Sequence, residues 1–104
     1  MSTSLSGLRL RVTGIVQGVG FRPFIYSLAE ALELKGWVRN TSAGVEIEVD
    51  GTSGALARFV AQIRKNPPPL ARIQAITSED IPPQFFKKFE IITSLSSPGD
   101  FLPV

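Results

Sequence analysis

The chain has no cysteine and no histidine in its 104 residues. Together these two absences exclude disulfides, thiol nucleophiles, imidazole bases and the usual zinc ligand sets. Charge is also scarce. Charged residues make up 19% of the chain, and eleven basic against nine acidic side chains leave a formal net charge of +2. The basic residues are spread along the chain, so the dense patch that marks a nucleic-acid binder is missing. No apolar run approaches the roughly 20 residues of a membrane-spanning helix, and Met1-Ser2-Thr3-Ser4 lacks the charged-then-apolar layout of a secretory leader. The expectation is a cytoplasmic chain with no nucleic-acid and no membrane partner. Its chemistry must come from Arg, Lys, Asp, Glu, Asn, Ser, Thr, Tyr or the backbone.

What remains is enough for one core: 43% of residues are hydrophobic, in a length that suits a single domain. Leu8, Leu10 and Val12 alternate with Arg9, Arg11 and Thr13, which predicts a strand with one buried face. From Pro23 the period changes. Ile25, Leu28, Ala29 and Leu32 form a helical stripe, with Pro23 in the first turn and Lys35-Gly36 as its C-terminal cation and cap. Trp37–Thr41 reads as a second strand, turning through Ser42-Ala43-Gly44 into the alternation of Val45–Val49, a hairpin. Thr52 or Ser53 can cap a second helix with the stripe Leu56, Phe59, Val60 and Ile63. That helix ends at Asn66, before Pro67-Pro68-Pro69. Ile73–Thr77 is a fourth strand and Phe86–Ile92 a shorter fifth. The order β-α-β-β-α-β, with a possible extra strand, predicts an α+β, ferredoxin-like split βαβ sandwich. It has a mostly antiparallel sheet with two helices on one face. Residues 8–92 form the domain, 1–7 a flexible N-terminus and 93–104 a tail or the start of a linker.

The stretch "GIVQGVGFRP", Gly14–Pro23, joins the first strand to the first helix. Backbone N–H groups there point toward a helix N-terminus, where unpaired amides carry partial positive charge and attract phosphate. Glycines let successive amides turn inward as a nest, and Arg22 adds a planar fork that can hold two phosphate oxygens. The competing reading is a tight turn with a solvated arginine. Neither nucleotide motif fits: Gly18-Val19-Gly20 begins a G-x-G, but Pro23 stands where a third glycine belongs.

In "GWVRNTSAG", Asn40 shares the helix-facing side with Val38, while Trp37 and Arg39 share the other. An amide at the end of a strand can orient a water molecule. It can equally form an ordinary turn, or hydrogen-bond the Gly-rich loop. "NTS" is also a glycosylation pattern, which the leader-less start disfavours. Arg39, Glu46 and Glu48 read as a solvent-exposed cross-strand face. Lys87-Lys88 reads as an edge-strand guard, and Arg72 beside the prolines as a contact surface.

"GIVQGVGFR" resembles the signature loop of the acylphosphatase family, and "GWVRN" its second motif, in the right order and spacing. "QGVGFRPF" and "NPPPLARI" are similar to one branch, the N-terminal acylphosphatase-like domain of the hydrogenase-maturation carbamoyltransferases of the HypF type. The resemblance implies metal-independent, cofactor-free hydrolysis of acyl phosphates to a carboxylate and phosphate. Arg22 would bind the phosphate, Asn40 would position the attacking water, and the amides of Gln17, Gly18, Val19, Gly20, Phe21 and Arg22 would form the cradle. It further implies carbamoyl phosphate as substrate and, in the full-length protein, downstream zinc-finger-like and carbamoyl-transfer domains as partners. The domain itself is expected to be a monomer. Two other classes stand beside this one: a module that binds acyl phosphate or inorganic phosphate without turnover, and a ferredoxin-like RNA or protein interaction domain. The last would need stacking aromatics on the open sheet face, where only Trp37 is expected.

Overall fold

The structure, a computed structural model, describes residues 4–93, so most of the expected tail lies outside the described residues. The elements run β1 (Ser6–Ile15), α1 (Phe21–Ala31), β2 (Lys35–Asn40), β3 (Gly44–Gly51), α2 (Ser53–Lys65), β4 (Arg72–Ile81) and β5 (Phe89–Ile92). They form one five-stranded sheet in the order β4-β1-β3-β2-β5. The first four strands pair antiparallel, and β5 joins the outer edge of β2 in parallel. This is the predicted ferredoxin-like α+β sandwich, with the fifth strand present.

Period-two alternation decides which side of the sheet is dry. Leu8, Leu10 and Val12 of β1 stand opposite Val49, Ile47 and Val45 of β3, and Val38 of β2 joins the same row. All seven are buried and form one core with Phe21, Ile25 and Ala29 of α1 and Leu56, Phe59 and Ile63 of α2. Both helical stripes therefore bury against a single sheet face. Thr52 caps α2, its hydroxyl accepting from the Ala55 N–H at 3.2 Å, and Asn66 closes that helix, its N–H donating to the Gln62 carbonyl.

Several local expectations are corrected: β1 begins at Ser6, inside the stretch expected to be flexible, and β5 at Phe89 rather than Phe86. α1 ends at Ala31, and the left-handed cap is Glu33 (φ 59°), not Gly36, which lies inside β2. The Leu34 N–H reaches the Ala29 carbonyl at 2.8 Å and the Glu33 N–H the Glu30 carbonyl at 3.1 Å, the two bonds of a Schellman turn. No basic residue lies in the last turn of α1. β4 is twice as long as its apolar core implies, because its ladder with β1 runs from Arg72 to Ile81.

The other sheet face carries charge, but Glu46 is not simply solvated. The register places Arg11, Glu46 and Arg39 side by side across three strands, and Glu46 is only 9% exposed. Its carboxylate lies 3.4 Å from Arg11 and 2.9 Å from Arg39. Arg9 bonds Glu48 at 2.7 Å, and that bond holds the Arg9 guanidinium above its ordinary pKa. The Arg39 guanidinium lies 5.3 Å over the Trp37 ring. The only aromatic expected on this face is thus stacked under a cation. Arg72 turns inward to its own loop, donating to the carbonyls of Pro69 and Ala71 at 3.2 and 3.0 Å, so it steadies the triple-proline turn.

Candidate active site

The Gly-rich loop is pinned by the core at each end. Val16 and Phe21 are each 1% exposed, and Val19 between them packs partly against the same core. Gly18 and Gly20 lie at φ 74° and 80°, and a Cβ at either would meet nothing within 4 Å. The glycines therefore supply backbone rotation rather than room for a neighbour, which is what an inward-turned set of amides needs. Gly20 is the N-cap of α1, with no side-chain cap and no acidic residue in the first turn. The helical ladder begins with the Phe24 N–H donating to the Gly20 carbonyl at 3.2 Å, and Pro23 has no N–H to lose. Among the described residues, no backbone N–H from Gln17 to Arg22 has a hydrogen-bond partner. Those amides form an uncapped helix N-terminus extended into a loop, a ready anion site. Arg22 sits at the second helical position, half-buried, its side chain with no hydrogen bond or ion pair among the described residues.

Asn40 closes β2, opposite Val45 and two residues beyond the fully buried Val38. Its Oδ1 is buried and has no hydrogen-bond partner among the described residues. Turn chemistry belongs instead to the next residue. Thr41 Oγ1 accepts from the N–H groups of Ala43 and Gly44 at 3.2 and 3.1 Å, and the Thr41 N–H donates to the Gly44 carbonyl at 2.8 Å. Asn40 does not tie down the Gly-rich loop either. Gln17 does: its Nε2 donates to the Thr41 carbonyl at 2.6 Å and to the Gly44 carbonyl at 2.8 Å.

The fold thus brings the cradle loop and the end of β2 together, bridged by the Gln17 side chain above the β1–β3 ladder. A hollow of about 220 Å³ beside this joint is lined by Gly14 to Gln17 and by Ser42 to Gly44. A larger one of about 520 Å³, lined by Leu8, Leu56, Val60 and Asp80 among others, borders the opposite end of β1 and touches no residue of the cradle. No three His, Cys, Asp or Glu converge among the described residues. Lys87 and Lys88 stay away from the loop, and Lys88 lies 3.9 Å from Glu90 in a solvent-exposed pair.

Two side-chain roles do not show in the sequence, one at this site and one at the far end of the sheet. The side chain of Gln17 was one, because its partners lie 24 and 27 positions away and depend on a turn that must form first. Asp50, 2% exposed, was the other. Its carboxylate accepts from the N–H of Gln84 at 3.0 and 3.1 Å and from that of Phe86 at 3.1 Å, holding the segment that leads into β5. Phe85, between those two amides, takes a left-handed φ of 59° and is 72% exposed.

Comparison with known proteins agrees with this architecture. The acylphosphatase family model matches residues 8–91. Carbamoyltransferase HypF2 of Cupriavidus necator is 54% identical over 72 residues, covering 69% of this chain but 9% of that protein. The acylphosphatase of Thermotoga maritima is 40% identical over 88 residues, covering 84% of this chain and 97% of that one. A crystal structure of full-length HypF in its phosphate- and nucleotide-bound form superposes with a TM-score of 0.87 at 35% identity, over 100% of this chain and 14% of that one. The chain spans about a tenth of the length of the carbamoyltransferases it matches.

Proposed function

The chain belongs to the acylphosphatase family, and from that premise we propose that it hydrolyses acyl phosphates at the cradle of Gln17–Arg22, with carbamoyl phosphate as its substrate. One observation supports this site above the others. A row of amides and a buried amide oxygen on Asn40, all unpartnered among the described residues, lie on two elements joined by Gln17. Native proteins pair nearly all buried polar atoms, so such an atom beside an anion nest points to a ligand.

In this reading the phosphoryl oxygens sit among the amides of the loop and the first turn of α1, and the Arg22 fork holds two of them. Asn40 Oδ1 accepts a hydrogen bond from a water and aims its oxygen at phosphorus. The new P–O bond forms as the P–O bond to the acyl group breaks, and the leaving carboxylate keeps the electron pair. It is a good leaving group, so no acid is required. The water's proton passes to a phosphate oxygen, since no His exists and no carboxylate is in the cradle. Such a reaction asks mainly for positioning and for charge stabilisation, which amides and one guanidinium supply.

The short span of this chain against its carbamoyltransferase relatives supports a second reading, in which a longer cytoplasmic protein carries the domain. There the cradle would hold carbamoyl phosphate, and the carbamoyl group would pass to downstream zinc-finger-like and carbamoyl-transfer domains. Phosphate release from carbamoyl phosphate and from an aromatic acyl phosphate separates the two. Turnover of both supports hydrolysis by this domain. Protection against heat by inorganic phosphate with no turnover of either supports binding alone. Neither turnover nor protection contradicts both.

A further inference from the structure

We infer that Gln17 is a positioning residue of this reaction, its side-chain amide setting the separation between the phosphate cradle and the water held by Asn40. The inference rests on the site described above and goes beyond it, because the cradle as described uses only the backbone N–H of Gln17.

The geometry is specific. One nitrogen, Gln17 Nε2, donates to two carbonyls, those of Thr41 at 2.6 Å and Gly44 at 2.8 Å. Neither carbonyl is free to drift. The Gly44 carbonyl also accepts from the Thr41 N–H at 2.8 Å, and the Thr41 hydroxyl accepts from the two N–H groups that complete the turn. Gln17 is therefore bolted to a closed hydrogen-bonded ring, and that ring begins at the residue after Asn40.

Beyond this bridge the loop is fixed only by Val19, which packs partly against the core, and by its two ends. Core packing holds Val16 and Phe21, but Gly18 and Gly20 between them carry no side chain and no Cβ neighbour within 4 Å. With the bridge gone, the two halves of the site would be joined only through the core behind them and the β1–β3 ladder, which ends below the loop at Thr13 and Gly44. In-line attack is sensitive to such slack, since a misplacement of about 1 Å costs on the order of 10²-fold in rate. Phosphate binding is less sensitive, because it uses amides and Arg22 from one half alone.

The test uses Gln17→Met, which keeps length and removes both donors, and Gln17→Glu, which sets a carboxylate against two carbonyl oxygens. For Gln17→Met the expected result is a kcat lower by roughly 10²-fold, with the affinity for inorganic phosphate changed far less. For Gln17→Glu the activity relative to the parent should rise as pH falls. The facing carbonyl dipoles raise that carboxyl's pKa above its ordinary value of about 4.3, and the protonated form regains one donor. A purely structural Gln17 would change the folded fraction, leaving kcat per folded molecule and the relative pH profile where they were. That outcome, in either variant, overturns the inference, and if Gln17→Met does not fold the pH profile of Gln17→Glu decides. Arg22→Ala in the same assay keeps the two claims apart. Loss of activity there with Gln17→Met unaffected sinks only the role of Gln17, whereas an active Arg22→Ala sinks the site itself.

Discussion

Asn40→Ala should separate activity from stability. The Asn40 Oδ1 is buried without a partner among the described residues, on the core side of β2. An unpaired buried polar atom costs about 1–3 kcal/mol. Truncation to alanine opposes this by opening a void of about methyl size, worth about 1 kcal/mol. The difference lies between about zero and 2 kcal/mol of net stabilisation. In a domain of this size about 1 kcal/mol moves the melting temperature by roughly 4–8 °C. The melting temperature of Asn40→Ala is therefore expected to hold level or rise by several degrees, while phosphate release falls by about 10²-fold or more for want of an oriented water. Thermal melting by circular dichroism and a phosphate-release assay on the same sample give both numbers. A drop in melting temperature of about 5 °C or more, with activity per folded molecule intact, would refute the reasoning. Asn40 would then be an ordinary structural amide.

Two further substitutions test the fold away from the site. Glu33 caps α1 from the left-handed region, which suits glycine and strains other residues. Glu33→Gly should therefore stabilise the fold by about 0.5–1 kcal/mol, read as a higher midpoint in urea with an unchanged slope. Asp50 is buried and accepts from two backbone amides. Asp50→Ala removes hydrogen bonds worth about 1.5–3 kcal/mol each and strands both donors, so a loss of at least about 3 kcal/mol is expected. Hydrogen exchange should show that loss first at Gln84 and Phe86, and unchanged exchange there would argue against the clamp.

Most of the fold could be read from residue periodicity because its signals are local. Leu8, Leu10 and Val12 announce β1, the stripes of Ile25 to Leu32 and Leu56 to Ile63 announce the helices, and Thr52 marks the start of α2. The errors fall where tertiary structure overrides local chemistry. Gly36 looks like a helix cap, but the helix stops earlier because the Schellman bonds close on Glu33, while Gly36 is needed within β2. Glu46 looks solvated because alternation separates faces without saying how crowded each becomes. The neighbouring arginines that bury it come from β1 and β2. The ten residues of β4 exceed its short apolar core because pairing with β1, not burial, sustains them.

The candidate site was legible in one respect and hidden in another. Glycines before a proline-bearing helix start already point to an anion nest, and Asn40 on the core-facing side of its strand follows from alternation with Val38. The joint between them does not follow. A glutamine inside a glycine loop carries no periodic signal, and its two acceptors exist only once Thr41 has closed the hairpin turn.

The central claim is that Arg22 and the open amides beside it carry acyl phosphate hydrolysis, and the most direct test is the rate of phosphate release from carbamoyl phosphate by Arg22→Ala beside the parent chain. The Arg22 side chain makes no hydrogen bond or ion pair among the described residues, so its loss should leave the melting temperature nearly unchanged. The account predicts a rate lower by about 10²–10³-fold. Equal rates from two equally folded proteins would contradict it.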